Sequence, residues 1–233
     1  MKLGIIGAMQ VEVEILLSCL EGKKDTTVAG STFYEGTLKG LDVAIVQCGV
    51  GKVNAAICAQ ILCDRFGVTH LVNTGIAGSL DAKLDIGDLL ISKDAMYHDF
   101  DCVHFGYEMG RIPGMDVTAF PADETMIRLA KEAAEAVHPG HVTVGRVASG
   151  DLFVAEKAAK DRIIAVTGGL CTEMEGAAIA QTAYRNRIPF VILRAISDKA
   201  DDSAEMDYPT FERIAAHRCA QVTQNLAKQL LTL

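Results

Sequence analysis

Apolar positions along this chain change period repeatedly, and each change marks an element. Residues 2–6 form a short apolar run that stops at Gly7, as a buried strand does. Val13, Leu16, Leu17 and Leu20 then recur at i, i+3, i+4 and i+7, one face of a helix. Strands are predicted over 33–38 and 43–48, with Lys39-Gly40 as the hairpin turn between them. After Gly49-Val50-Gly51 the spacing predicts a helix over 53–66, with Val53, Ile57 and Ile61 as its stripe and Cys58, Leu62 and Phe66 beside it. Residues 70–73 and 89–92 read as buried strands, 123–137 as a helix and 142–148 as a strand. A further helix is expected from Ala177. Residues 190–196 are apolar throughout except for Arg194. The last helix is expected to start near Pro209, a residue favoured in a first turn. Phe211, Ala215, Cys219, Val222, Leu226 and Leu230 step along it by three or four. Residues 97–121 keep no period and hold two prolines and three glycines. An irregular stretch of that length is unusual inside a compact domain and often functional.

Strands and helices alternate from the first residue, without an internal repeat or a Pro/Ser-rich linker. This pattern predicts a single α/β domain over residues 1–233, with a central mixed, mainly parallel twisted sheet flanked by helices. Parallel strands covered on both faces read as continuous apolar runs, as these do. In such sheets the ligand lies beyond the carboxyl ends of the strands.

Composition narrows the function classes. Half of the 233 residues are apolar, enough for a sizeable core. The net charge is −8 and no basic block occurs, which argues against nucleic acid or an anionic membrane as partner. The apolar N-terminal run is broken by Glu12 and Glu14, unlike a signal peptide. No run approaches the ~18 apolar residues of a membrane span. Seven cysteines without CxxC spacing read as reduced thiols, in keeping with a cytoplasmic protein.

At the predicted strand ends sit Gly7-Ala8-Met9 with Glu12, Gly75 to Ser79, Ser149-Gly150-Asp151 with Phe153, Thr172-Glu173-Met174-Glu175, and Ser197-Asp198. Glu12, Glu175 and Asp198 can therefore converge on one cleft. Each also has a plain structural reading: acids in a first helical turn are stabilised by the helix dipole, and a loop acid can cap a helix. Phe153 taken alone fits a core. Arg194, a cation inside an apolar strand, requires a carboxylate or a ligand. Other chemistries fail on spacing. Gly49-Val50-Gly51-Lys52 lacks the first glycine and the Ser/Thr of a P-loop, Gly4-Ile5-Ile6-Gly7 is not GxGxxG, and neither Ser79 nor Ser149 lies in a GxSxG elbow. No His pair has zinc spacing, His98 and His104 lie in the irregular stretch, and nothing calls for a metal or another cofactor.

Taken together, Gly4-Ile5-Ile6-Gly7-Ala8-Met9 with Glu12, Gly49-Val50-Gly51-Lys52-Val53-Asn54-Ala55, Asn73-Thr74-Gly75-Ile76-Ala77-Gly78, Ser149-Gly150-Asp151, Glu173-Met174-Glu175-Gly176-Ala177-Ala178-Ile179-Ala180 and Arg194-Ala195-Ile196-Ser197-Asp198 resemble, in order and over nearly the whole chain, the bacterial 5′-methylthioadenosine/S-adenosylhomocysteine nucleosidases of the nucleoside phosphorylase-like superfamily. That resemblance implies hydrolysis of the N-glycosidic bond of a 5′-thio-substituted adenosine to adenine and a thioribose, and a place in methionine salvage. It implies Asp198 as the acid that protonates adenine at N7 and Glu12 as the base that orients and deprotonates water. Glu175 would accept hydrogen bonds from the ribose hydroxyls, with Met174 beside the sugar. Phe153 would stack on adenine, Val154 would read its edge through the backbone, Arg194 would stand near water and ribose, and Ser197 would support Asp198. Ala77 and Gly78 join the implied substrate-binding positions. Met9, Val50 and Tyr208 would wall the 5′ pocket. Phe105, Tyr107 and Pro113 would reach in from a partner subunit, which implies a homodimer and accounts for the irregular 97–121 stretch. One departure stands out: the family often carries Ser where this chain has Ile76.

The nearest alternative is a related nucleosidase preferring aminodeoxyfutalosine. A purine nucleoside phosphorylase on the same fold needs cations for phosphate, and none is found at 7–12 or 75–79. A non-catalytic nucleoside-binding module would be expected to lack Glu12 or Asp198.

Overall fold

The computed structural model describes residues 1–201 and 204–233, with side chains for all of these except 204–207. Its elements follow as β1 (Lys2–Gly7), α1 (Gln10–Ser18), β2 (Glu21–Val28), β3 (Ser31–Leu38), β4 (Leu41–Gln47), α2 (Lys52–Arg65), β5 (His70–Ser79), β6 (Leu89–Tyr97), β7 (Phe120–Pro121), α3 (Glu124–Glu135), β8 (Val142–Ser149), α4 (Lys157–Thr167), β9 (Cys171–Glu173), α5 (Gly176–Asn186), β10 (Phe190–Asp198) and α6 (Ala204–Leu230). A single 3-10 turn at Val103–Phe105 interrupts the long irregular stretch.

The strands form one mixed sheet. β4, β1, β5 and β10 lie side by side and parallel, the arrangement that the continuous apolar runs predict. β10 also pairs antiparallel with β6, and the order then continues through β8 and β9 back to β5. One half of the sheet thus curls into a ring, and the carboxyl ends of β5, β8 and β10 are brought around a common mouth. Helices cover both faces. Val13 and Leu16 of α1, Met126 and Leu129 of α3, and Cys219, Val222 and Leu226 of α6 share one core. Ala55, Cys58, Ala59 and Leu62 of α2 pack with Ala177, Ala180 and Ala183 of α5 in the other. None of the described helices is long and apolar enough to cross a membrane.

Several expectations are corrected. The stripe of Val53 and Ile57 on α2 does not face the core: Val53 is 70% and Ile57 44% exposed. Small residues on the adjoining face let α2 and α5 approach closely, and the larger side chains are turned outward. Segment 75–78 is not a loop beyond a strand but the second half of β5, paired with β10 from Gly75 to Gly78. Pro209 lies inside α6 and not in its first turn. Strand β2 is polar and almost wholly exposed at the sheet edge, and α4 and β9 are further elements beyond those that the periodicity predicts.

Candidate active site

A cavity of about 600 Å³ opens at the mouth formed by those strand ends. Of the residues singled out in the sequence, Met9, Glu12, Val50, Ala77, Gly78, Phe153, Val154, Met174, Glu175, Ser197, Asp198 and Tyr208 line it. Ala8, Ile76, Leu152, Thr172 and Glu173 complete the wall. A larger, shallower depression of about 830 Å³ lies at the amino end of β10, with Tyr184, Arg185 and Arg187 on its rim. It lacks the converging buried carboxylates, so the chemistry points to the smaller cavity.

Glu12 is held almost entirely by backbone. It sits in the first turn of α1, where its Oε2 accepts the amides of Ala8 (2.6 Å) and Met9 (3.0 Å). The Met9 bond caps the helix, as an acid three residues into a helix commonly does. Its Oε1 accepts the amide of Ile76 at 3.0 Å. The Ile76 contact comes from the main chain, so the departure from Ser at this position leaves the grip on Glu12 intact. Burial raises the pKa of Glu12, opposed by the charge of Arg194 and by the three amides.

Arg194 answers its requirement for a partner from below. It is 1% exposed, does not line the cavity, and donates from Nη2 to Glu173 Oε2 and Asn73 Oδ1. Desolvation pulls its pKa down, but the fields of Glu173, Glu12 and Glu175 outweigh this and hold it charged. Gly75 is essential to the arrangement, because a Cβ there would overlap both the Arg194 guanidinium and the Glu12 carboxylate.

Glu173 is the residue that sequence reasoning passed over. Its carboxylate accepts from Ser149 Oγ, from the Gly176 amide (2.7 Å to Oε2), from the Glu175 amide (3.1 Å) and from Arg194. Ser149 Oγ in turn accepts the Ala177 amide at 2.7 Å. Together they satisfy the orphan amides that open α5. The signal was available: an acid two residues before Glu175, at the start of a helix, in a chain that needed a partner for Arg194. Asp151 of the same Ser149-Gly150-Asp151 motif accepts the Lys52 amide at 2.9 Å, capping α2.

Glu175 Oε1 accepts the amide of Gly51 at 2.9 Å, where φ is +101° and glycine is favoured. Burial and then the charge of Glu173 push the Glu175 pKa up to about 7, against the pull of Arg194 and the Gly51 amide. A folded-state value above the usual 4.5 means that the native state binds the extra proton. Stability from this group is therefore full below about pH 4.5 and declines as pH rises toward 7. Glu175→Gln should consequently raise Tm over the parent at pH 8, by a stability gain on the order of 1–3 kcal/mol, and by much less at pH 5. An equal gap at both pH values would refute this.

Asp198 ends β10 after a bulge that shifts register between Ile196 and Asp198. Its Oδ2 accepts from Ser197 Oγ (2.8 Å) and its Oδ1 from the Ala200 amide (2.8 Å). The Phe153 ring stands edge-on to Tyr208, with centroids 5.7 Å apart, and the Tyr208 hydroxyl lies 3.1 Å from Met9 Sδ. These three residues form an apolar wall, with Val50 beside them. Phe105, Tyr107 and Pro113 do not reach this chain's own cavity; all three are exposed, Phe105 to 81%.

Comparison with known proteins agrees with this geometry. The family model described as the phosphorylase superfamily matches residues 2–228. A 5′-methylthioadenosine/S-adenosylhomocysteine nucleosidase of Staphylococcus aureus (strain JH9) is 42% identical over 231 residues, 98% of this chain and 100% of that protein. The crystal structure of such a nucleosidase from Colwellia psychrerythraea 34H, in complex with adenine, superposes with a TM-score of 0.95 at 40% identity, covering 99% of this chain and 96% of that one. A futalosine hydrolase of Helicobacter pylori strain 26695 superposes with a TM-score of 0.93 at 30% identity, covering 98% and 97%. The chain thus belongs to the phosphorylase superfamily and, within it, to the 5′-methylthioadenosine/S-adenosylhomocysteine nucleosidases.

Proposed function

We propose that this protein hydrolyses the N-glycosidic bond of 5′-methylthioadenosine and S-adenosylhomocysteine, releasing adenine and the 5-thio-substituted ribose. The observation that carries the reading is the convergence of buried Glu12, Glu175 and Asp198 on one cavity whose described lining contains no Lys, Arg or His. Cleavage builds oxocarbenium character at the ribose C1′, which a flanking carboxylate pair handles well. Asp198 donates a proton to N7 so that adenine leaves neutral. Glu12, fixed by three amides, takes a proton from the attacking water. Glu175 accepts the ribose hydroxyls with Met174 against the sugar. Phe153 stacks on the base, and Val154, Ala77 and Gly78 bound it. Arg194 acts from beneath, through its field on Glu12.

Water and phosphate are told apart by charge. A phosphate dianion needs fixed positive charge or a nest of amides. Here the nearest buried cation is already engaged by Glu173, and the Glu12 amides are already taken. Turnover of methylthioadenosine should therefore be equal in phosphate-free and phosphate buffer, with free methylthioribose as the sugar product. A sugar 1-phosphate, or a rate rising hyperbolically with phosphate, would overturn the hydrolase reading. The likeness to a futalosine hydrolase makes aminodeoxyfutalosine the second substrate to include in that assay.

The working unit we infer is a homodimer in which Phe105, Tyr107 and Pro113 of one chain close the 5′ end of the other's cavity. Its support is the apolar surface left exposed at Val53, Ile57, Val103 and Phe105, together with Val50, Leu152 and Phe153 at the cavity mouth. Sedimentation equilibrium of the parent and of Phe105→Asp measures this directly; a monomeric parent would refute it. The seven unpaired cysteines support a reducing compartment, the cytoplasm.

A further inference from the structure

Away from the cavity, three potential ligands meet at the amino ends of β6 and β8. His138 and His141 flank Pro139-Gly140, a turn in which Gly140 has φ +78° and the His141 amide donates to the His138 carbonyl at 3.2 Å. Their rings stack with centroids 4.2 Å apart and planes 14° from parallel. Asp88 arrives from 53 positions before His141, and its Oδ1 lies 2.8 Å from His141 Nδ1. The other oxygen, Oδ2, accepts the Asp85 amide at 2.8 Å, which fixes the rotation of the carboxylate. One ligand atom from each of the three residues lies within 4.8 Å of the others.

We propose that Asp88, His138 and His141 form a binding site for a divalent transition ion of the zinc class, separate from the catalytic cavity. The argument is one of size and donor type. A tetrahedral ion with bonds of about 2.0–2.1 Å needs its ligand atoms roughly 3.3 Å apart. The Asp88–His141 pair, at 2.8 Å, needs to open by only a few tenths of an ångström for the ion to take the place of their contact. His138 closes the remainder by a side-chain rotation at a surface turn. Two imidazoles and one carboxylate suit Zn²⁺, Ni²⁺ or Cu²⁺ and not Mg²⁺ or Ca²⁺, which take oxygen ligands. The half-exposed His141 side chain leaves room for water at the fourth position. The Asp85 amide supplies the outer contact that orients a ligating carboxylate. Arg218 opposes the ion: its Nη1 lies 3.2 Å from His138 Nε2 and 2.5 Å from the Gly87 carbonyl. The ion therefore takes His138 through its other nitrogen or displaces one contact of a guanidinium that keeps a second.

The site also touches the frame of the active site. The Asp88 carbonyl accepts the Ile196 amide at 2.9 Å, two residues before Asp198. An ion here would tie the 85–88 loop, the 138–141 turn and the end of β10 together.

Titration of tag-free, EDTA-stripped protein with ZnCl₂ in a calorimeter, with CoCl₂ absorption as the spectroscopic readout, tests the proposal. One saturable ion per chain is expected, with visible Co²⁺ bands of a four-coordinate site and a Zn²⁺-dependent rise in Tm. His141→Ala and the double variant His138→Ala/His141→Ala should weaken Zn²⁺ binding at least ~10-fold. His104→Ala and His217→Ala should not change it. Circular dichroism checks that the variants fold, and the exposure of His141 makes its loss tolerable. No saturable binding, or binding that survives the double variant and so belongs to the thiols, overturns the proposal.

Discussion

Asp198→Asn and Glu12→Gln should each lower kcat by at least ~10²-fold while leaving adenine affinity nearly unchanged, the usual scale for losing a general acid or base. Both changes are close to isosteric. In Asp198→Asn the new side chain can still accept from Ser197 or from the Ala200 amide through its one carbonyl oxygen, but it has no carboxyl proton to give N7. In Glu12→Gln only part of the cradle of three amides survives, since the introduced NH₂ would face a donor. The same change removes the negative charge that draws the proton from water and balances Arg194. Steady-state kinetics with methylthioadenosine, and calorimetric titration with adenine, separate chemistry from binding. A variant that retains more than about a tenth of parental turnover removes that residue from its assigned role.

Glu173→Ala is the largest expected stability change, a loss of about 3–5 kcal/mol. Arg194 is buried, and Glu173 makes its closest ion pair. Without Glu173 the guanidinium keeps only Asn73 as a hydrogen-bonding partner among the described contacts, with Glu175 Oε2 3.9 Å away. The amides of Glu175 and Gly176 and the hydroxyl of Ser149 lose their acceptor as well. Removing one member of a buried pair costs more than the pair contributes, because the survivor is left charged in a poor solvent. Urea unfolding of the parent, Glu173→Ala and Glu173→Gln measures this, with Gln recovering part of the loss. A Glu173→Ala stability within ~1 kcal/mol of the parent would mean that Arg194 finds another counter-charge.

Much of this architecture is legible in the chain because burial writes itself as period. β1, β4, β5 and β10 are apolar runs since both faces of the sheet are covered, and α3 and α6 carry continuous stripes. The sequence misleads where packing is decided by small residues. On α2 the alanines and Cys58 face α5, and periodicity counted on size follows Val53 and Ile57 outward. β2 is illegible for the opposite reason: an exposed edge strand buries nothing, so its sequence carries no apolar alternation. Gly75 to Gly78 read as a loop because glycine is poor in strands, yet here the close approach of Arg194 and Glu12 excludes a side chain at Gly75, and that of Asp198 and Ala200 excludes one at Gly78. Among the site residues, acids at strand ends could be named one by one. Glu173 stands where such a partner for Arg194 could be sought, two residues before Glu175, but its contacts with Ser149 and Arg194, 24 and 21 positions away, become visible only in the fold.

The amide of residue 76 has a consequence for selective inhibition. Glu12 is gripped by the main chain there, and the Ile76 side chain is left to shape the cavity wall, 6% exposed. Chemistry and contour are thereby uncoupled at one position. A ligand designed around a hydroxyl at this point in a Ser-bearing relative would meet a hydrocarbon surface in this protein and would have to strand a polar group against it. A ligand that presents a methyl group to the same spot would gain about 0.8 kcal/mol for each buried CH₂. Residue 76 is thus a handle for telling this enzyme from any relative that carries Ser there, and using it disturbs neither the base nor the acid.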